Sequence, residues 1–583
     1  MDPRSTSADH DIVDELRRAG LERGGFLALS AATGAGLAVA LRNGTSLSTG
    51  VVDLGAVISH VETELRPRWV LWGPETMSLV RAGQRVGRSW NLGAVHRLLN
   101  GGWHADPARI WASVHGLDGD ALPVVTPVDL FTAPVEAGAA DEPLRADGYL
   151  DPEWLTADFE WTPKRLSRWA QLAAQVAVLQ EARLVELHDR PRARSTARSE
   201  SAAELLCAEL SVDGLPMDRR TAEAIIAEFI GPRPRTDAEA VEQRSARDAE
   251  VLRHSSNAGY DLRNPAQVKS LLRGIGVELP DTRAWRLEAI RGTHPLIDAL
   301  CEWRKAERIA TTFGYGWLDE HLGADGRLRG EWSGSDGAAG RMTASAGLHN
   351  TPANFRSAVA AEAGHVFVRA DLGQIEPRIL AAVSGDAALA AATADDDLYL
   401  PVATQLGVDR ATAKVAVLGA MYGQTTGHGA VALRGLESAY PVAMRYLTEA
   451  DLAGQVGRDV RTHGGRLIRT GSANRSELGD RDSRSRAAAQ GRYARNAMVQ
   501  GAAAEFFKVW AVTVRSRAAA LDARIVLCLH DELLVHAPLE RGDAVAQLVA
   551  DCLVDAARQW APNESVRFVA DVSVIERWSD AKP

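Results

Sequence analysis

Two apolar, β-prone runs, far apart in the chain, each end on a carboxylate, and this restricts the fold more than any other feature. His365-Val366-Phe367-Val368-Arg369-Ala370 leads to Asp371; Ile525-Val526-Leu527-Cys528-Leu529 leads through His530 to Asp531 and Glu532, after which Leu533-Leu534-Val535 resumes the pattern. Runs of this length and composition predict strands. The acidic tip between the second and third runs predicts a hairpin that presents Asp531. Gln374, Ile375, Glu376 and Arg378 begin helical spacing just after Asp371. A single Asp at a strand end is usually a solvated turn residue. Two brought together would bracket a pair of divalent ions about 3.5–4 Å apart, the arrangement used for in-line phosphoryl transfer.

Between the two tips, Arg410, Lys414, Leu418 and Tyr422 recur at every fourth residue, so a helix aligns them on one face. A structural helix would more often pair such cations with acids at i±4, and this face offers none; the cations suit a triphosphate and the other two groups a base. Arg492, Asn496 and Gln500 form a second ladder of donors suited to sugar or minor-groove edges. Gly340-Arg341 places another arginine after a glycine-rich loop.

The order Asp371-Leu372-Gly373-Gln374-Ile375-Glu376-Pro377-Arg378, then Arg410-x3-Lys414-x7-Tyr422-Gly423, then His530-Asp531-Glu532 resembles the three polymerase motifs of the DNA polymerase I family (family A). Gly340-Arg341 and the Arg492/Asn496/Gln500 ladder match two further family segments in their places. The resemblance covers roughly the C-terminal two-thirds of the chain, and the combination is far more specific than any one motif.

The resemblance implies a multidomain α/β and α+β fold: an N-terminal exonuclease-like (ribonuclease H-like) α/β domain followed by a right-hand polymerase of thumb, palm and fingers. It implies that Asp371 and Asp531 ligate two Mg²⁺ ions, with Mn²⁺ as a substitute and Glu532 in support. Arg410 and Lys414 would grip the incoming nucleotide, with Lys414 as acid for the departing pyrophosphate. Glu376 would be the steric gate against a ribose 2′-hydroxyl, and Tyr422 would stack by the templating position. Gln374, Leu418 and Tyr399 complete the nucleotide set. Arg341, Arg492, Asn496, Gln500 and His530 would contact DNA. The implied partners are primer-template DNA and deoxyribonucleoside triphosphates, handled by a monomer in replication or repair.

The chain departs from the family pattern in several places. Leu418 stands where Phe or Tyr is usual, Pro377 stands where Leu is usual, and Asp397-Leu398-Tyr399 replaces an Asp-x-His element with a shortened connection to Arg410. Sugar discrimination and fingers closure are the properties these changes touch.

The rest of the chain sets the boundaries. Residues 1–23 read as a tail and 24–187 as the exonuclease-like domain, with short apolar runs among helical patterns. Residues 188–201 read as a linker, since Asp189 to Arg198 carries Pro, Ser and like charges without an apolar period, the mark of an exposed linker or of the entry to a helical region; a solvated connector is favoured over a basic DNA strap. The polymerase domain takes 202–583, with the thumb to about 330. Where a proofreading member shows D-x-E, the first strand reads Phe26-Leu27-Ala28-Leu29-Ser30; Arg88-Ser89-Trp90-Asn91-Leu92 and Trp169 to Gln175 also lack the required Asp. This predicts a retained fold without 3′→5′ exonuclease activity, and a chain that starts at this domain carries no 5′-nuclease.

Composition adds limits. Of 583 residues, 66 are basic and 76 acidic, for a net charge of −10, so DNA binding must rest on a local basic channel. Cys207, Cys301, Cys528 and Cys552 form no C-x-x-C pair, which speaks against a zinc site or disulfide framework and fits a reducing cytoplasm; the resemblance implies a bacterial, nucleoid-associated setting. No stretch reads as a signal peptide or membrane span. The rival readings are a single-subunit RNA polymerase, disfavoured by Glu376 and the 531–532 pair; a bifunctional enzyme with active exonuclease; and an inert DNA-binding scaffold.

Overall fold

The computed structural model describes residues 5–50, 53–125, 141–156, 158–423, 429–471, 480–561 and 565–581. The chain divides into two compact units, one of Met1–Asp213, Glu331–Thr343 and Phe367–Val574, the other of Gly214–Gly330, Ala344–Val366 and Ile575–Pro583. Among the described residues no helix is long and apolar enough to cross a membrane.

Among the described residues, the first unit contains a five-stranded and a four-stranded sheet besides two two-stranded ones. The N-terminal one has the strand order Ser46–Thr49, Gly36–Leu41, Phe26–Ala32, Arg68–Leu71, Ser89–Asn91. Its first three strands pair antiparallel and its last three parallel. Side-chain alternation divides each central strand between two cores. Leu27, Leu29, Trp69 and Leu71 face one with Val57, Ile58 and Val61 of helix Leu54–Leu65. Ala28, Val70 and Trp72 face the other with Trp169, Ala170 and Ala173 of helix Pro163–Glu186. A sheet buried on both faces carries near-continuous apolar strands, which is why these runs show no polar alternation.

Two boundary expectations change. Beyond residues 1–4, which lie outside the described residues, the expected tail is a helix, Ser5–Arg18, whose Ile12, Val13 and Leu16 are buried in the first of these cores. The expected linker becomes helix Ala193–Asp213, with Ala193, Ala197 and Glu200 buried. Two arginines just before it bond to distant backbone: Arg190 donates to the carbonyls of Thr462 (2.9 Å) and Arg461 (3.2 Å) and Arg192 to that of Ala561 (3.0 Å), while Arg194, exposed, pairs with Glu181 (2.7 Å) and Arg198 stays exposed.

The second sheet has the order Arg524–Leu529, Glu532–Pro538, His365–Leu372, Ala570–Ile575. The expected hairpin forms, with Leu529 opposite Glu532. The long helix Asp480–Ala518 buries Phe506, Trp510 and Val514 and packs against helices Pro441–Gln455, Gly542–Trp560 and Ala193–Asp213.

The second unit is mainly helical. Val251, Leu271, Leu272, Leu296, Ile297 and Leu300 form its core. Asn264 and Pro265 start a helix as expected: the Asn264 side chain accepts from the N–H groups of Ala266 and Gln267, and proline occupies a first-turn position that needs no donor. Arg263 pairs with Asp248 (2.7 Å) and Glu307 (2.5 Å), so part of this unit's basic charge is spent internally.

Candidate active site

Adjacent strands bring the two predicted carboxylates together. The turn between the hairpin strands is His530-Asp531, and the Leu372 N–H donates to the Asp531 carbonyl at 3.0 Å, which fastens the tip beside Asp371. His530 has a φ of 55°, in the left-handed region that a side chain with Cβ rarely adopts, at a cost of about 1–3 kcal/mol. Gln374, at the start of helix Ile375–Ser384, has a φ of 47°. Backbone strain thus falls on both segments that carry the carboxylates.

The electrostatics follow from this crowding. Burial, then the neighbouring Asp531 charge, raises the Asp371 pKa from 3.8 to about 6, against the pull of Arg369. Asp531 is raised too, by burial first and then by Glu532 and Glu376. Paired hard oxygen donors, both penalised as bare anions, fit a divalent ion such as Mg²⁺. Protonation competes with such an ion, so Mn²⁺ affinity should climb as pH rises through about 6. Without metal the sign for stability is opposite: the raised acid favours the fold below 3.8 and that contribution is lost as pH rises through about 6. Calorimetric Mn²⁺ titration between acidic and neutral pH checks this; an affinity flat across that interval would exclude Asp371 as a ligand.

Beside the carboxylates lies a cavity of about 370 Å³, and its lining includes Arg341, Glu376, Tyr399, Leu418, Tyr422 and Gln500, all singled out in the sequence. Gln374, His530 and Asp531 also reach it. Glu376 is its hub: one carboxylate oxygen accepts from Arg341 Nη2 (3.0 Å) and the other from the Tyr422 hydroxyl (2.7 Å). Burial and then Glu376 push the Tyr422 phenol up to about 12, so it stays a donor. Helix Arg410–Tyr422 forms as expected, capped by Asp409. Its Arg410, which has no acid on the helix's own face as read from the sequence, pairs with Asp397 of a preceding segment and lies 5.7 Å from the Tyr399 ring centroid. Lys414 is exposed and, among the described residues, makes no ion pair.

The remaining expected residues spread more widely. Arg492 is exposed and lies against Gly423, where a Cβ would meet its Cγ at 2.9 Å. Asn496 is half-buried with its side-chain oxygen unpartnered among the described residues. Glu532 is buried, accepts from Arg369 Nε at 2.7 Å and, like Asp371, is not among the residues that line the cavity. Arg378, fully buried, donates to the carbonyls of Gly373, Thr393, Asp395, Asp396 and Arg567 and ties the segment before Tyr399 to the helix behind Asp371. Sequence reasoning missed Met342, Ala503 and Phe507, which also line the cavity; they are apolar and carry no chemical signal. It also missed Arg369, which stood in plain view two residues before Asp371 but was read as part of a strand.

The sequence profile of DNA polymerase family A matches residues 262–580, more than half of the chain. The chain belongs to DNA polymerase family A. Among family A relatives, DNA polymerase I of Deinococcus radiodurans is 26% identical over 367 residues, 55% of this chain and 37% of that protein. The thermostable DNA polymerase I of Thermus aquaticus is 28% identical over 323 residues, 52% of this chain and 38% of that protein. DNA polymerase I of Chloroflexus aurantiacus is 29% identical over 335 residues, 51% and 34% respectively. The matched part therefore spans well under half the length of these curated relatives. The solved polymerase domain of Pol1 from M. smegmatis, in complex with DNA primer-template and dNTP, shares this family A fold: TM-score 0.68 and 20% identity, over 98% of each chain.

Proposed function

We propose that this chain is a template-directed DNA-dependent DNA polymerase that adds deoxyribonucleotides to a primer 3′ end in repair or gap filling, without proofreading. The observation that carries the reading is that the hairpin turn bearing Asp531 is fastened to the strand bearing Asp371, beside a cavity lined by Asp531, Glu376 and Tyr422. The named activity of the DNA polymerase I relatives supports it. Asp371 and Asp531 would hold two divalent ions, Mg²⁺ in the cell. When bound, such ions activate the primer hydroxyl and neutralise the leaving phosphate. Lys414 binds the triphosphate and supplies a proton to pyrophosphate; Arg410 joins it once released from Asp397. Arg341 and Gln500 probe the minor groove of the primer terminus. In this reading 214–330 forms most of the thumb and the second sheet the palm.

The N-terminal sheet order, with antiparallel strands followed by parallel ones, supports a ribonuclease H-like domain. Ser30 and Trp169 line a cavity of about 620 Å³ there. Its carboxylates, Glu75 and Asp106, accept from the Gly73 N–H (3.1 Å) and the Arg109 N–H (2.9 Å) at helix starts, which favours loss of exonuclease activity over the bifunctional alternative.

Primer extension with Mg²⁺ tests the proposal. Incorporation of deoxyribonucleotides, with a mismatched terminus left uncut, is expected. A folded protein that binds primer-template and never extends it would leave the inert scaffold as the function. The gate assignment makes a separate forecast: Glu376→Ala should narrow the deoxyribonucleotide-to-ribonucleotide ratio of kcat/KM by at least about tenfold. It should also lower deoxyribonucleotide turnover, because Arg341 and Tyr422 lose their shared acceptor. An unchanged ratio would remove Glu376 from sugar selection.

A further inference from the structure

Arg369 sits on the central strand that carries Asp371, two residues away and hence on the same face. Its guanidinium is only 8% exposed and binds three carboxylates at once: Asp371 at 2.5 Å, Glu532 at 2.7 Å on the strand to one side, and Asp571 at 3.0 Å on the strand to the other. Few side chains have the geometry for this, since a planar fork with several donors is required, and arginine remains charged at any working pH. Together with Asp531, these carboxylates make a dense patch of negative charge, and Arg369 is the cation bound within it.

We propose that Arg369 is a resident cation of the carboxylate cluster, a positioning residue that occupies one face of Asp371, holds the cluster together without metal, and sets a low affinity for divalent ions in the free protein. The inference rests on the reading of Asp371 and Asp531 as metal ligands. An ion that binds Asp371 must displace or share a charge-assisted hydrogen bond and must enter a site already partly neutralised. A purely structural ion pair would stabilise the sheet and leave metal affinity alone; a resident cation opposes metal binding and substitutes for it.

The test is Mn²⁺ binding by calorimetry on the full chain, without DNA or nucleotide, together with thermal unfolding in EDTA and in excess Mn²⁺. Arg369→Gln should bind Mn²⁺ about tenfold more tightly than wild type. It should melt earlier in EDTA and recover in Mn²⁺. Arg369→Lys, which keeps the charge but not the three-way fork, should shift in the same direction as the glutamine variant but by less in both measurements. Arg369→Met keeps the volume without charge or donors and must shift in the same direction as the glutamine variant. Neutral variants that bind Mn²⁺ no more tightly than wild type, or that stay unfolded even in excess Mn²⁺, would overturn the proposal. Asp531→Asn separates the two readings. Mn²⁺ binding lost there but unchanged in Arg369→Gln overturns the role of Arg369 alone, whereas binding indifferent to both substitutions places the ion elsewhere and overturns both.

Discussion

Alanine at Asp531 is expected to lower primer extension by at least about a thousandfold while leaving primer-template binding intact, and alanine at Asp371 to do the same. The turn should survive the change at 531, because what fastens it to the neighbouring strand is the Asp531 carbonyl accepting from the Leu372 N–H, a backbone bond that the substitution leaves in place. A second result follows from the electrostatics. Burial raises the pKa of both carboxylates, so as anions at neutral pH they oppose the metal-free fold. Their removal should therefore raise the unfolding midpoint in EDTA at pH 8, and that gain should vanish in acid, where the wild-type carboxyls are protonated. Inactive, more stable and still DNA-binding is the combined signature of a removed catalytic anion. Residual extension within about tenfold of wild type would exclude the two-carboxylate mechanism; loss of DNA binding together with activity would point to a collapsed turn.

Much of this site was legible because its residues obey short-range rules. Asp371 and Asp531 end apolar runs that can only be strands, and Arg410, Lys414, Leu418 and Tyr422 share a helix face by spacing alone. What could not be read depends on distant partners. Asp397 answers Arg410 from another element, and three strands of one sheet meet at Arg369, whose own position reads as one residue of a strand. The segment from Asp189 to Arg198 was legible as a linker or the entry to a helical region, and the helix from Ala193 bears out the second alternative, but its partners were not legible for the same reason. Its charges predict solvent by composition, yet the carbonyls that Arg190 and Arg192 satisfy lie in segments 461–462 and 559–561, and no local pattern announces them. The N-terminal helix was missed because its apolar residues Ile12, Val13 and Leu16 are few and set among charges, although their spacing places them on one buried face.

The largest stability effect is expected at Glu200, buried on helix Ala193–Asp213. Its carboxylate is 1% exposed and binds Lys508 at 2.7 Å and Arg466 at 2.6 Å, side chains that are themselves 0% and 2% exposed. Burial pushes the Glu200 carboxyl up, but the two cations overcome it and hold it below the usual carboxylate range. Glu505, also fully buried, is raised by its burial to about 7 and accepts from the Thr462 hydroxyl and the Gly464 N–H. Glu200→Gln removes the shared anion and leaves two buried cations facing each other, which should cost about 3–5 kcal/mol. Lys508→Met added to it removes the surplus cation and leaves Glu505 as counter-charge to Arg466. The double variant should then recover a large part of the loss, with a coupling of about 1–3 kcal/mol in a double-mutant cycle on denaturation midpoints. The pH profile gives an independent check. In the wild type the raised Glu505 favours the fold below its ordinary 4.5, and that contribution fades as pH rises through about 7. Once Glu505 is the partner of otherwise unpaired cations its pKa falls, so the decline around neutrality should disappear in Glu200→Gln. Additive single and double effects, with an unchanged pH profile, would mean that the buried cluster does not act as one charge-balanced group.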